Sequence, residues 1–245
     1  SVSRGLGDVY KRQVYDLSPG TLSASELDAL GLGLDTIVET DHTFEIGCMV
    51  TLRQLEQHPA LNAWTNHAVA DAVKDIVGVQ FRNTATVGGS IFGRYGFSDV
   101  LTVFLALNAK VVCHHAGEIP LEQYAQMPPD RDILVKLVVD KQPMQVSYQA
   151  MRHARTDFPI LTCAVSCVDG VWQASVGARP HKAALVRDQE GMLRGGVDET
   201  CAARFGDYVA GQLNFGSNMR GIAAYRRQIC GVLVQRAVLA ACEVK

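Results

Sequence analysis

A pair of adjacent glycines near the middle of the chain constrains its fold more than any other feature. Gly88 and Gly89 follow two β-branched residues and precede Ser90, within the segment FRNTATVGGSIFGRYGFSD at residues 81–99. Glycine adopts positive φ without steric cost and lets a ligand approach the backbone closely. A turn of this kind can direct several N–H groups into one concavity, which suits phosphate oxygens. Spacing alone leaves a plain tight turn as the alternative.

Two polar residues, Ser98 and Asp99, follow the glycines after a second glycine-punctuated loop. The carboxylate of Asp99 can accept hydrogen bonds from ribose hydroxyls or from other donors of a nucleotide. Either residue can also cap the apolar helix that we predict over residues 100–107, since Ser and Asp are favoured N-cap residues. The two roles are compatible, because a capping residue can also face a ligand.

The composition is that of an ordinary globular protein. The 245 residues suffice for one large or two modest domains, and 48% of them are hydrophobic. A net charge of −2 with 20% charged residues gives no indication of a nucleic-acid partner. The sequence contains no uncharged apolar run of membrane-spanning length, so we expect no membrane span. It lacks the basic-then-apolar order of a secretory signal at its start, and we expect a cytoplasmic protein.

The seven cysteines indicate buried thiols rather than a metal centre. Their number is odd, and no Cys-x-x-Cys pair occurs. The adjacent His114 and His115 would point to opposite faces of a predicted strand, which argues against a shared metal ion. We therefore predict no metal site on this chain. No Ser-His-Asp, His-Glu-x-x-His or Cys–His arrangement indicates a catalytic acid, base or nucleophile either.

Periodicity and turn residues predict an α+β protein. Strands are predicted at residues 35–38, 43–46, 110–114 and 131–139, and a hairpin at residues 160–177 turns at Asp169-Gly170. Helices are predicted at residues 52–57, with Thr51 as N-cap, and at residues 63–77, 121–125, 201–213 and 217–242. Residues 79–90 are predicted as a strand that leads into the glycine turn. Residues 140–143 are the best candidate for a linker between two domains.

The glycine segment resembles the second flavin-binding segment of the FAD subunits of molybdenum hydroxylases, the family of xanthine dehydrogenase and carbon monoxide dehydrogenase medium subunits. The family pattern is Arg-Asn-x-Ala-Thr-hydrophobic-Gly-Gly-Asn, then Ser-Asp, then a helix rich in Ala and Leu. This chain has RNTATVGG at residues 82–89, then Ser98-Asp99, then ALNAKV at residues 106–111. Ser90 stands in the place of the usual Asn.

Two further segments share the resemblance. RGIAAYRR at residues 220–227 is similar to the Ser-Ala-x-Tyr-Arg-Arg sequence of the family's last helix. The segment that ends at Leu134 resembles an acid-Ile-Leu sequence in which the Leu contacts the flavin. The basic turn that contains Arg152 matches more loosely, so we assign no flavin contact to that residue. For Arg226 and Arg227, a solvated helix face is the default expectation.

The resemblance implies an FAD-binding domain of the p-cresol methylhydroxylase (PCMH) type over residues 14–140. A smaller α+β domain of the CO dehydrogenase flavoprotein type is implied over residues 145–245. The family's first flavin loop does not precede residue 14, so we expect the N-terminal lobe of the flavin domain to be mostly absent. Residues 1–13 match translated adapter sequence, and we expect them to be a non-native leader.

The resemblance also implies a function in electron transfer. Electrons from a molybdopterin-binding large partner subunit would pass through the 2Fe–2S clusters of a small partner subunit to FAD on this chain, and leave to NAD+ or another acceptor. The chemistry belongs to the cofactor, so we expect no catalytic residue. The expected cofactor-binding residues are Ala85, Thr86, Val87, Gly88, Gly89, Ser90, Ser98, Asp99 and Leu134.

Two other functions stay open. One is a stand-alone FAD oxidase on the same fold, which requires an active-site base or a covalent His or Cys anchor; the sequence offers no clear candidate for either. The other is a flavin-less fragment that serves only as an assembly module, as expected if the first flavin loop is missing. The visible absorption spectrum of the purified chain separates flavin binding from the flavin-less alternative.

Overall fold

The computed structural model describes residues 32–128 and 132–243. The leader predicted at residues 1–13, and the start of the predicted flavin domain at residue 14, lie outside this described part. The described residues form two antiparallel sheets, with helices packed against both. This mixture of helix and sheet confirms the α+β fold class predicted from the sequence.

The first sheet has five strands, which are β1 (Ile37–Glu39), β2 (Thr43–Gly47), β3 (Lys110–Cys113), β4 (Gly117–Pro120) and β5 (Leu134–Asp140). Their spatial order is β1-β2-β5-β3-β4. Phe44 and Ile46 alternate with more exposed residues along β2, as Val111 and Cys113 do along β3. One face of the sheet is therefore buried and apolar, as expected for an antiparallel sheet.

Seven helices accompany the first sheet within the described residues, namely α1 (Leu52–Gln57), α2 (Pro59–Trp64), α3 (Ala68–Val73), α4 (Val79–Arg82), α5 (Val87–Phe92), α6 (Asp99–Ala106) and α7 (Leu121–Gln126). Helix α1 begins where predicted, because Thr51 and Gln54 form a capping box. None of the helices in the described part of the chain is long and apolar enough to cross a membrane.

The structure corrects two predicted elements. The helix predicted over residues 63–77 is divided into α2 and α3 at Asn66 and His67, whose φ angles of 47° and 63° interrupt a helix. The strand predicted before the glycines is the short helix α4, and the glycines lie in α5. Helix α5 begins at the glycines because the hydroxyl oxygen of Thr86 accepts a hydrogen bond from the amide of Gly89, at 3.1 Å.

The second sheet has four strands in sequential order, which are β6 (Met144–Met151), β7 (Leu161–Val168), β8 (Val171–Gly177) and β9 (Ala184–Arg187). The hairpin predicted across Asp169-Gly170 is confirmed. Both turn residues have positive φ, 50° and 76°, as the favoured two-residue hairpin turn requires. Strand β5 ends at Asp140 and β6 begins at Met144, so the break between the sheets falls within the predicted linker.

Helices α8 (Glu199–Gln212) and α9 (Ala223–Cys242) pack on the second sheet and on each other. They approach closely at Gly206, where an added Cβ would lie 2.4 Å from the carbonyl oxygen of Gly231. Helix α9 begins later than predicted, because Asn218 and Gly221 pair through two backbone hydrogen bonds in a turn that precedes it. Ile222 lies just before the helix and is exposed.

Helix α6 lies between the helices α3, α5 and α7 and the second sheet. All eight of its residues are buried, and it packs against β7 and β8. Polar side chains cross this contact: the hydroxyls of Thr102 and Thr162 lie 2.9 Å apart, and Ser166 donates to the carbonyl oxygen of Ala106. These buried hydrogen bonds fix the middle and the C-terminal end of α6 against the second sheet.

Candidate functional site

The glycine segment is buried, and its amide groups have partners inside the protein. The amides of Val87 and Gly88 donate to the carbonyl oxygens of Val50 and Cys48, at 2.9 and 2.8 Å. The amide of Gly89 donates to the Thr86 hydroxyl oxygen, and that of Ser90 donates to the Thr86 carbonyl oxygen, both at 3.1 Å; the amide of Ala85 donates to the Phe81 carbonyl oxygen. The sequence predicted an open nest of N–H groups here, and this expectation is wrong for these five amides.

The reason is long-range pairing together with helical backbone. Thr51 and Thr86 form an isolated β-bridge, and the Leu52 amide donates to the carbonyl oxygen of Ala85 at 2.9 Å. This contact ties the residues that follow β2 to the start of α5. Neither Gly88 nor Gly89 adopts the positive φ expected from the sequence, since both belong to α5. Both glycines are buried, so their lack of a side chain serves close packing.

Ser98 is the N-cap of α6, which confirms that the Ser98-Asp99 pair caps this helix. Its hydroxyl oxygen accepts a hydrogen bond from the Leu101 amide at 3.0 Å and donates to the carbonyl oxygen of Ser90 at 3.1 Å. Ser98 is 1% exposed. Its side chain therefore connects the helix that holds the glycines to the helix that holds Asp99.

Asp99 is the first residue of α6, and its carboxylate is buried against β6 of the second sheet. It is 2% exposed. The Tyr148 hydroxyl and a guanidinium nitrogen of Arg152 both donate to the same carboxylate oxygen, Oδ1, the second at 2.5 Å. The other terminal nitrogen of Arg152 donates to the carbonyl oxygen of Asp157 at 2.8 Å. We call Asp99, Tyr148 and Arg152 the junction cluster.

Burial and mutual charge set the ionisation of the junction cluster. Burial raises the pKa of Asp99, against the opposing effects of the Arg152 charge and of the hydrogen bonds from Tyr148 and Arg152. Burial also raises the pKa of Tyr148 well above its usual value, and the Asp99 charge adds to this. The phenol is therefore protonated and is the donor. Burial is the largest single effect on Arg152 and lowers its pKa, but the charge and hydrogen bond of Asp99, with smaller effects of Tyr148 and Asp75, together raise the net pKa.

Sequence reasoning assigned Asp99 but missed its two partners. Tyr148 lies on β6, and Arg152 follows the end of that strand, 49 and 53 residues away from Asp99. The only available signal is the period of two that places Val146, Tyr148, Ala150 and Arg152 on one face. An aromatic hydroxyl and a cation on a face that otherwise carries apolar residues indicate a buried polar partner.

A polar cleft borders the junction cluster. Its volume is about 530 Å³, and Tyr148 and Arg152 line it together with the C-terminal end of α3 and the chain that follows β6. Arg155 and Asp75 form an ion pair at 2.8 Å across this cleft. Charged groups of both signs therefore line the cleft beside Tyr148 and Arg152.

An aromatic cleft is lined by Phe97, Phe158 and Arg220. Its volume is about 200 Å³. The rings of Phe97 and Phe158 meet edge to face with centroids 4.8 Å apart, and the guanidinium of Arg220 lies 4.9 Å from the Phe158 centroid. Arg220 is also 3.6 Å from a carboxylate oxygen of Asp157, whose carbonyl oxygen binds Arg152. The chain at residues 157–158 thus connects the aromatic cleft to the junction cluster.

Arg226 holds the loop beside the aromatic cleft. A solvated face was expected for this residue, but it is 1% exposed, and that expectation is wrong. Its guanidinium donates to the carbonyl oxygens of Ile160, Gly216 and Gly221 at 2.6–2.9 Å, and to the Asn218 side chain at 2.6 Å. Buried cations are retained in proteins when they are hydrogen-bonded in this way.

Leu134, the last residue of the predicted set, is the first residue of β5. It pairs with Cys113 and is fully buried in the apolar core of the first sheet. Its contact with a flavin stays a prediction. No group of three or more His, Cys, Asp or Glu side chains suited to a metal ion occurs among residues 32–128 and 132–243.

Two sequence families match the chain. The FAD binding domain in molybdopterin dehydrogenase matches residues 27–141, and the CO dehydrogenase flavoprotein C-terminal domain matches residues 146–241. The uncharacterized protein YgfM of Escherichia coli K12 is 27% identical over 205 residues, which are 83% of this chain and 74% of YgfM. The probable aldehyde oxidase 3 of Oryza sativa subsp. japonica is 30% identical over 139 residues, 54% of this chain but only 10% of that protein.

Solved structures share the fold. The carbon monoxide dehydrogenase from Hydrogenophaga pseudoflava superposes with a TM-score of 0.77 at 20% identity, over 98% of this chain and 95% of that chain. Quinoline 2-oxidoreductase from Pseudomonas putida 86 gives a TM-score of 0.73 at 16% identity, over 98% and 94% of the two chains. Since the two family matches between them span most of the sequence, the chain belongs to the family of FAD-binding subunits of the molybdenum hydroxylases.

Proposed function

We propose that this chain binds FAD at the junction of its two sheets and transfers electrons within a cytoplasmic multi-subunit enzyme. A small subunit with 2Fe–2S clusters, itself supplied by a molybdopterin-binding large subunit, would deliver the electrons. NAD+ or another acceptor would take them away. The observation that carries the proposal is the buried, oriented carboxylate of Asp99, at the position where the family places a flavin-binding Asp.

The junction cluster fits a cofactor that carries hydroxyl groups. Tyr148 and Arg152 both donate to Oδ1 of Asp99. Neither of them donates to Oδ2, which can therefore accept a hydrogen bond from a hydroxyl of the ribityl chain. Ser98 contributes by holding the start of α6, and Leu134 offers an apolar contact for the ring. These assignments are proposals drawn from the family's pattern and from the geometry of Asp99.

The glycine segment fits FAD differently from the way its sequence suggests. The amides at residues 87–90 all donate inside the protein, so they do not match the oxygens of a diphosphate. We therefore assign residues 85–90 to close backbone packing against the cofactor.

The chain itself needs no acid or base for this function. When bound, FAD supplies the redox chemistry, and the protein supplies binding, orientation and electrostatics. Asp99 would orient the ribityl chain, Tyr148 and Arg152 would orient Asp99, and the apolar core beneath β5 would exclude water from one side. We therefore propose no catalytic residue on this chain.

The aromatic cleft supports an electron acceptor with a planar ring and a negative charge. Phe97 and Phe158 present ring surface, and Arg220 presents a guanidinium beside it. Arginine binds phosphate and stacks on aromatic faces. NAD+ combines these two features, and titration of the reduced enzyme complex with NAD+ tests whether it is the acceptor.

A second candidate function is an assembly module without flavin. The occupied amides of residues 87–90 favour it, because these four N–H groups already donate inside the protein. The two functions differ in one property, the presence of bound flavin.

The experiment is the visible absorption spectrum of the protein, purified and then incubated with FAD and freed of unbound cofactor. The proposal predicts the bands of oxidised flavin in the wild type and weaker bands in Asp99→Asn. A colourless wild-type protein with a cooperative melting transition would reject FAD binding and support the assembly module.

A further inference from the structure

We propose that Tyr148 and Arg152 are positioning residues of the flavin site, which act through Asp99 and direct its Oδ2 toward a hydroxyl of the ribityl chain. This inference rests on the proposed function. It adds two residues that the sequence comparison leaves unassigned, and it gives the second sheet a defined part in cofactor binding.

The geometry of the junction cluster carries the inference. Two donors from the second sheet converge on a single carboxylate oxygen, and a carboxylate rotates about one bond only. With Oδ1 fixed by a phenol and a guanidinium, the direction of Oδ2 is fixed as well. Arg152 is held in turn, because its other terminal nitrogen donates to the carbonyl oxygen of Asp157 at 2.8 Å.

A purely structural role explains these contacts poorly. Helix α6 already has its N-cap, since Ser98 accepts the hydrogen bond from Leu101. An apolar side chain at position 99 would fill the same space without the cost of removing a charge from water. Buried ion pairs contribute little net stability compared with apolar residues of similar size. The side chains of Arg152 and Asp99 are nevertheless only 9% and 3% exposed.

The two donors also couple the sheets. Asp99 belongs to α6, whereas Tyr148 and Arg152 belong to β6 and the chain after it. An oriented hydrogen-bond acceptor for the cofactor therefore exists only when the second sheet is docked on α6. Binding of FAD and docking of the second sheet should stabilise each other.

A double-mutant cycle tests the inference, with the dissociation constant for FAD measured by flavin fluorescence on the full chain. Tyr148→Phe should weaken FAD binding about tenfold in the wild-type background, the loss expected for a hydrogen bond to a charged group. In the Asp99→Ala background the same change should alter binding less than about twofold, because the acceptor through which Tyr148 acts is absent. Arg152→Met should weaken FAD binding in the same background-dependent way as Tyr148→Phe. Arg152→Lys should restore part of the affinity for FAD.

A merely structural role would give a different pattern. Tyr148→Phe would then weaken binding equally in both backgrounds, and this additivity would overturn the inference. Tyr124→Phe, which removes the hydroxyl of a second buried tyrosine, should leave the dissociation constant unchanged. If the wild-type chain binds no FAD, the proposed function fails and the inference falls with it. If the wild type binds FAD but the cycle is additive, only the inference fails.

Discussion

Replacement of Arg152 by Met tests the electrostatics of the junction cluster. The change leaves the Asp99 carboxylate buried with Tyr148 as its remaining side-chain donor. Removal of one partner of a buried ion pair costs about 3–5 kcal/mol, because the other charge stays out of water. For a protein of this size, that loss lowers the melting temperature by roughly 6–20 °C. Differential scanning calorimetry at neutral pH measures it.

The pH dependence of the loss is the sharper test. In the folded protein, burial raises the pKa of Asp99 above its usual 3.8, and the Arg152 charge opposes this effect. Without Arg152 the pKa rises further, so protonation of Asp99 favours the folded state. The variant should be least destabilised near pH 4. It should lose stability relative to the wild type as the pH rises through the raised pKa of Asp99.

Two variants serve as controls for this prediction. Arg155→Met removes an arginine from the same segment, but its ion pair with Asp75 is exposed, so the melting temperature should hardly change. The double variant Asp99→Asn/Arg152→Met removes both charges and should recover much of the stability lost in Arg152→Met. A loss in Arg152→Met that equals that of Arg155→Met, or that does not vary with pH, would refute the reasoning.

Two further predictions concern packing and the last helix. Gly206→Ala should lower the free energy of unfolding by about 1–3 kcal/mol, because its Cβ would lie 2.4 Å from the Gly231 carbonyl oxygen. Gly211 has open space around it, so Gly211→Ala should raise the free energy of unfolding by about 0.5–1 kcal/mol. Urea denaturation of both variants measures this, and equal shifts would contradict the packing. Arg226→Met should lower the free energy of unfolding by at least about 3 kcal/mol, because it removes four hydrogen bonds. Arg227→Met should lower it by under about 1 kcal/mol, because the Arg227 guanidinium donates one hydrogen bond, to the Ala210 carbonyl oxygen. Similar losses in both would refute the role of Arg226.

Local sequence signals predicted much of the fold. The Thr51 cap and the Asp169-Gly170 hairpin turn are encoded by short-range chemistry, and both are confirmed. The break at Asn66 and His67 could not be predicted in the same way. The apolar period continues across it, and the left-handed backbone there belongs to residues other than glycine. Tertiary packing decides such a break, and a single sequence does not show it.

The candidate site, like the fold, could be predicted from the sequence only in part. The sequence identified the segment that holds Asp99, because its residues follow a family pattern. It did not identify Tyr148 and Arg152, which reach Asp99 from about fifty residues away. It also placed an open nest at Gly88 and Gly89, whereas the Gly88 amide donates to the Cys48 carbonyl oxygen after β2 and the Gly89 amide donates to the Thr86 hydroxyl oxygen. Long-range contacts therefore decide which polar groups can meet a ligand.

Native mass spectrometry of the wild-type chain equilibrated with FAD tests the central claim most directly. The account predicts that the folded protein gains the mass of a single FAD molecule, and that this species diminishes in Asp99→Asn while the variant stays folded. A folded wild-type protein that keeps its unmodified mass at saturating FAD would contradict the account.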